Sequence, residues 1–321
     1  MKLNFSLKKA KFNKVELAAG LILLAAFILP FLSWAGSEEV IYVNANASGV
    51  QDGSKNHPYK TIGQAIKKSD EDTEIHVSKG TYEENIELPK GVELHGSGNS
   101  EVFIQAKNDD EPVIRMQNET KIVSVTVEEG EYGVEVSRGD SAKIIDCNVR
   151  KNNKDGIRIK EGETSERDQV DIVSSYISKN GRAGIYSEKR KLSIVNNLIE
   201  KNDGDGIAVV GTASIWMSGN SVKNNEGSGM RVNLDGSNIS AKRNLFSENN
   251  REGIEINSFG STGKIDIQMS KFRYNGRWGI AKINRVSGNF SAWNGLIIDG
   301  PSIPMFGNSS GSVSPILTIF Y

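Results

Sequence analysis

A single cysteine, Cys147, in 321 residues leaves no partner for a disulfide within the chain, so stability must come from packing. That cysteine reads as a small buried hydrophobe. Charge of one sign is also missing. The 39 basic residues face 40 acidic ones, which removes the broad electrostatic reason to expect nucleic acid as a partner. Histidine is scarce, with His57, His76 and His95 all near the start and none in the long middle of the chain. That middle also lacks any helical period.

What the middle does contain is one short phrase, returning six times: an Asn, three variable residues, a Gly, then an apolar residue. It runs from Asn152 to Gly156-Ile157, Asn180 to Gly184-Ile185, Asn202 to Gly206-Ile207, Asn225 to Gly229-Met230, Asn249 to Gly253-Ile254 and Asn275 to Gly279-Ile280. A degenerate copy precedes them at Gly133-Val134. From Gly133 to Gly279 the spacings are 23, 28, 22, 23, 24 and 26 residues, a period that signals stacked repeats and one elongated unit. Around Asn202 the repeat holds three apolar clusters, Leu192-Ile194, Leu198-Ile199 and Ile207-Val209. Three short strands per repeat and a glycine turn predict an all-β solenoid of coils.

In such coils each strand pairs in parallel with its equivalents above and below, about 4.8 Å away, so equivalent residues form columns. The residue after Gly and the residue three before Asn (Val149, Ile177, Ile199, Val222, Phe246, Phe272) must then face inward. The Asn column reads as an amide ladder, and the Gly as a turn that a Cβ would obstruct.

The ends differ from the array. Lys2, Lys8, Lys9, Lys11 and Lys14 precede the apolar run 17–35, which is the pattern of an export signal in residues 1–36, either cleaved after Ala35 or kept as a membrane anchor. Both outcomes place the rest outside the cytoplasm, secreted or anchored to the membrane by residues 17–35. Residues 40–98 read as an N-terminal cap and first coils, with a short helix carrying Ile62, Ala65 and Ile66 on one face and Thr61 as its N-cap. That helix would cover the exposed edge of the first coil. Residues 99–300 are the coils. Residues 301–321 read as a linker, Gly307 to Ser314, and a capping strand, Ile316 to Tyr321.

Leucine-rich repeats share the period and the Asn, but need a leucine framework. Here Ile and Val dominate and no helical segment fits between copies. The N-[polar]3-G-[IV] turns instead closely resemble the right-handed parallel β-helix repeat of the pectin lyase-like superfamily. The opening Tyr42-Val43, Asp52-Gly53-Ser54, Pro58-Tyr59-Lys60-Thr61-Ile62 and Ala65-Ile66 resembles the N-terminal capping coil of its secreted members. The resemblance spans roughly residues 40–300 and implies a right-handed single-stranded parallel β-helix. It is weak for function, because this fold hosts lyases, hydrolases, epimerases, esterases and non-enzymatic surface proteins.

For chemistry, the outward position after each Gly-apolar pair gives Glu135, Arg158, Tyr186, Ala208, Arg231, Glu255 and Ala281. Arg158, Tyr186, Arg231 and Glu255 on a flat sheet face are the candidates for binding an extended polysaccharide or envelope glycan, by stacking and ion pairs. The alternative is a polysaccharide lyase or related uronan-acting enzyme, with β-elimination favoured over hydrolysis. Its candidates are Asp155, Asp203, Asp205, Lys160 and Arg182, with Asp203 and Asp205 as calcium ligands. Asp155 and Asp205 share a column interrupted by Ala183, hence stand about 9.6 Å apart, at the edge of the inverting-hydrolase range. The histidine-bearing motifs of β-helical pectin hydrolases and the Asp-Pro-His signature of uronan epimerases are absent. A structural or adhesive surface protein is the third reading. The 28-residue spacing marks an insertion, Glu161 to Gln169, which reads as a plain surface loop; at a binding face its Thr164, Glu166 and Arg167 would instead overhang Arg158 and Tyr186.

Overall fold

In the computed structural model of the chain, residues 39–234, 236–257, 262–283, 295–299 and 305–314 are described. The export segment 17–35 and the closing strand 316–321 lie outside them. Among the described residues no helix is long and apolar enough to cross a membrane.

The described strands form three parallel sheets, of 11, 10 and 10 strands; the first coil gives only Val40–Val43, to the 11-stranded sheet, and each later coil gives one strand to each sheet. Around Asn202 these are Lys191–Val195, Leu198–Glu200 and Ile207–Val210, which are the three apolar clusters of the repeat. Registers run without slippage: Ile157, Ile185, Ile207, Met230, Ile254 and Ile280 are successive partners. Val149, Ile177, Ile199, Val222, Phe246 and Phe272 form the second inward column, fully buried, and the last two rings stack with centroids 5.1 Å apart. Alternation accounts for this arrangement. A strand with one wet and one buried face keeps its register because a one-residue slip would expose the whole apolar set.

Two of the three corners share one device. A residue in the left-handed region, a glycine at Gly219 and Gly307, ends the strand, and the next side chain turns inward. At the corner of the repeated phrase these left-handed residues are Lys151, Lys179, Lys201, Asn224, Glu248 and Tyr274, each with φ between 55° and 57°. The inward residue is the Asn. Each Asn Nδ2 donates to the Oδ1 of the Asn one coil on, over 2.9–3.0 Å from Asn152 through Asn180, Asn202, Asn225, Asn249 and Asn275 to Asn308. The same Oδ1 also accepts the backbone N–H of the preceding Asn. The ladder therefore extends into Asn308, where a linker was expected, and strands Met305–Phe306 and Gly311–Val313 continue the coils on either side. A second ladder stands at the other corner, Cys147, Ser175, Asn197, Asn220, Asn244 and Ser270. Cys147 is fully buried there, and burial pushes its thiol up to about 12.

The glycine of the phrase serves close approach rather than a special backbone angle. A Cβ on Gly206 would sit 2.4 Å from Val222 Cγ1 and 2.7 Å from the Gly229 carbonyl oxygen. Gly of one coil thus nests beneath Asn and Gly of the next. At the N-terminal end the helix Ile62–Ile66 is fixed by a Thr61 capping box and packs over the first strands, as expected. Glu84 adds a carboxylate that accepts the N–H groups of Ile62 and Gly63.

Asn202→Ala removes an acceptor shared by the Asn180 amide and backbone N–H, and a donor to Asn225. The expected cost is on the order of 2–4 kcal/mol, read as a lower urea midpoint with unchanged far-ultraviolet circular dichroism.

Candidate functional site

The 11-stranded sheet presents a groove. Its central strands are five residues long, Gln169–Val173, Lys191–Val195, Ser214–Ser218, Asn238–Lys242 and Lys264–Gln268. In Ser214–Ser218 the buried Ile215 and Met217 alternate with outward residues, which turns Trp216 to solvent, half of it exposed. Its neighbours across the sheet are Ser193 and Ser240, followed by Asp171 and Asp266. Serines beside an indole leave a hollow, because the small side chains cannot fill the height that the ring sets. That hollow measures about 630 Å³ and is walled along one side by Gln169, Lys191, Ser214, Asn238 and Lys264. A second hollow of about 310 Å³ continues it toward the N-terminal coils, past Asp171, Lys143 and Lys121, with Gln169 lining both.

The 160–168 insertion belongs to this face. It joins Ile157–Ile159 of one sheet to Gln169–Val173 of the grooved sheet, and Glu166 pairs with Lys191 at the groove wall. Of the overhang's three residues, Glu166 thus reaches the groove wall rather than Arg158 or Tyr186. Beneath the loop, Arg190 is fully buried, its Nη2 donating to the Asp140 carbonyl oxygen. Burial pulls the Arg190 guanidinium below the usual arginine range, opposed by the nearby Asp168 and Asp140 carboxylates. Asp168 in turn accepts the Glu163 N–H at 2.7 Å, which pins the loop at its base.

The face expected to bind is occupied by its own ion pairs. Its outward column runs Glu87, Arg115, Glu135, Arg158, Tyr186, Ala208, Arg231, Glu255 and Ala281. Arg158 reaches Asp155 at 3.1 Å and Glu188 at 3.0 Å, and lies between the rings of Tyr132 and Tyr186, 5.2 and 4.5 Å from their centroids. Arg231 Nε donates to Asp205 Oδ2 at 2.5 Å. Glu255 is not open to solvent at all. It is fully buried, covered by Arg251 at 2.8 Å and by the Ser228 hydroxyl at 2.8 Å.

The catalytic and calcium candidates are dispersed. Backbone pairing places Asp155, Ala183 and Asp205 in successive coils, so the two aspartates stand two steps apart. Both are buried and committed: Asp155 accepts the Ala183 N–H at 3.1 Å, and Asp205 accepts the Ser228 N–H at 2.8 Å. Burial pushes the Asp155 carboxyl up, against the Ala183 and Arg158 hydrogen bonds. Lys160 pairs with Glu135 at 2.9 Å, while Asp203 and Arg182 lie exposed at the corners. Asp203 and Asp205 belong to no convergent group of three ligating side chains among the described residues.

Trp216 is what a reading centred on the repeated phrase passed over. The signal was there: a lone Trp at an outward step of the alternation Ser-Ile-Trp-Met-Ser.

The family described as "Right handed beta helix region" matches residues 132–294, just over half of the chain. "Protein of unknown function (DUF1565)" matches residues 45–103. No curated protein sequence matches. Among solved structures, the pectate lyase Pel9A is 14% identical with a TM-score of 0.59, over 84% of this chain and 80% of that one. ORF18 of Geobacillus virus E2 is 16% identical with a TM-score of 0.52, over 91% of this chain and 65% of that one. The periplasmic alginate epimerase AlgG is 14% identical with a TM-score of 0.49, over 77% and 71%. At such identities the likeness is one of fold.

Glu135 gives the ion-paired face a pH dependence. Burial would raise its carboxyl, but hydrogen bonds from Lys160 and Arg115 outweigh that and hold it below the ordinary 4.5. A depressed carboxylate stabilises the fold fully above its unfolded value, and that stabilisation is lost as pH falls through the folded one. The melting temperature should therefore drop more between roughly pH 5 and pH 3 in the wild type than in Glu135→Gln. Parallel melting curves at the two pH values check this.

Proposed function

The chain belongs to the right-handed β-helix family, and from that footing we propose that it is an extracytoplasmic polysaccharide-binding protein that lays an extended acidic glycan along the groove of its longest sheet. The observation that carries this reading is Trp216, half exposed in the middle of the hollow and flanked by small polar side chains. An indole face presented between serines is a stacking platform for a sugar ring, whose axial C–H groups are apolar while its hydroxyls reach outward to Asn238, Gln169 and Ser240. Lys191 and Lys264 on one wall supply two cations three strand steps apart, about 14 Å, which suits carboxylates recurring along a polymer. The groove runs along the stack of coils, the direction in which such a polymer extends.

Three further points support the reading. The fold is shared with a pectate lyase, a protein named for an acidic polysaccharide. The basic start and apolar run 17–35 have the pattern of an export signal, secreting the protein or anchoring it to the membrane. The Glu166–Lys191 pair occupies a cation that an anionic ligand would claim, so the insertion acts as a competitor at the groove wall. Binding is favoured over hydrolysis because Asp266 is the one carboxylate among the described residues that line the hollow around Trp216, whereas hydrolysis there needs a pair.

A panel of neutral and acidic polysaccharides, scored for both retention and release of unsaturated products, tests the proposal. Trp216→Ala should weaken retention of acidic glycans by about tenfold, the loss expected for one stacked ring. Tyr186→Ala on the ion-paired face should leave it unchanged. Retention that depends on Tyr186 or Arg231 and not on Trp216 would move the platform to that face. Release of unsaturated products would replace binding with β-elimination, and Asp203→Ala or Asp205→Ala would then show whether that corner supplies a calcium ligand. Glu166→Gln should strengthen acidic-glycan retention severalfold by releasing Lys191, with no effect on neutral glycans.

A further inference from the structure

The first coils carry a doublet at the N-terminal end of the second hollow, away from Trp216. Strands Glu74–Val77 and Glu93–Gly96 both begin with glutamate, an apolar residue and histidine. They pair in register, so Glu74 lies beside Glu93 and His76 beside His95. The intervening Ile75 and Leu94 are fully buried, which sends all four polar side chains to the same outer face. Each imidazole Nε2 lies 2.9 Å from a carboxylate oxygen of the glutamate on its own strand. The two rings stack with centroids 5.5 Å apart and planes 22° from parallel, and Tyr42 extends the row at 5.6 Å from His76. A hollow of about 550 Å³ opens along the flank of His76 and His95.

Two carboxylates held side by side at strand spacing repel each other, and the register gives them no means of parting. Lys121, on the next strand, answers that repulsion at Glu93. A cation placed between the two strands would answer it at both. Glu74, Glu93 and His95 already bring one ligand atom each to within 4.8 Å of one another, the one such convergence among the described residues. Bonds of about 2.0–2.2 Å to a shared ion would draw those atoms together by small side-chain rotations. The donor set is mixed imidazole nitrogen and carboxylate oxygen, which suits zinc, nickel, cobalt or copper. Calcium and magnesium prefer six or more oxygens.

We propose that Glu74, Glu93 and His95 bind one divalent transition-metal ion that ties the two coils together on the outer face of the sheet. Glu93 and Lys121 also line the second hollow, but the site uses neither Trp216 nor the Lys191 and Lys264 wall of the first, so metal binding and glycan retention are read separately. The ion and the Lys121 ammonium compete for Glu93, and that competition gives the proposal a signature that adventitious surface binding lacks. Removing Lys121 strengthens the site, whereas removing a ligand weakens it.

The test is calorimetric titration of the tag-free, full-length protein with zinc chloride and nickel chloride, and with calcium chloride in parallel. One zinc or nickel ion per chain is expected, with His95→Ala and Glu93→Gln each weakening affinity by at least about tenfold. Lys121→Met is expected to tighten it, and His57→Ala, on the cap loop outside the cluster, to leave it unchanged. The opposite signs expected for Glu93→Gln and Lys121→Met keep the test decisive if a histidine variant fails to fold. Absence of zinc and nickel binding overturns the proposal. So does binding undiminished in Glu93→Gln, or calcium bound as tightly as zinc.

Discussion

One hydrogen bond, repeated, sets the geometry of this protein: the side-chain amide of an inward Asn donating to the amide oxygen of the Asn one coil further on. Backbone pairing alone would hold strands about 4.8 Å apart, but it tolerates slippage along the strand. The Asn amide does not, because its oxygen accepts both the side-chain and the backbone N–H of its neighbour. The coil-to-coil glycine contacts depend on this alignment. Gly206 can nest beneath Asn225 and Gly229 only if both ladders are in step. The left-handed residues before each Asn, Lys201 among them, carry a local conformational cost that the ladder offsets by turning a polar amide into a saturated core element.

With the core committed to repetition, difference can reside only on the outer faces, and these divide sharply. The sheet bearing Arg158 and Arg231 spends its charges internally. Its short three- and four-residue strands crowd acidic and basic side chains into reach of one another, and residues such as Glu255 end up buried among them. The grooved sheet has longer central strands, with small outward residues around a single indole, so a hollow stays open above it. The same architecture thus yields one saturated face and one open face, through side-chain size and strand length rather than through any change of backbone.

The insertion illustrates how a repeat protein modifies one coil without disturbing the stack. Residues 160–168 leave the coil at a corner, where added length does not alter register, and the strands on either side remain paired as in every other coil. Arg190, buried beneath the loop, gives it a fixed base instead of a free surface excursion. A buried cation flanked by Asp140 and Asp168 resists removal of either neighbour, since an unpaired interior charge is costly.

Periodicity let the sequence by itself determine the coil, its three strands, the inward columns, the structural role of Asn and Gly, and the Thr61-capped helix. Each of these recurs or follows from local pattern, and a column is defined once the period is known. The second ladder at Asn197, Asn220 and Asn244 and the extension to Asn308 were less visible, because serine, cysteine or an irregular spacing breaks the phrase there. The site depended on what no period contains. Whether an outward arginine is free or ion-paired is decided by side chains one coil away and across a corner, as Arg231 with Asp205 shows. Whether a tryptophan stands in a groove is decided by the size of its neighbours on adjacent strands, Ser193 and Ser240, some two dozen residues distant in the chain. Only the stacked structure brings those residues together, because lateral contacts in a solenoid join residues one full repeat apart.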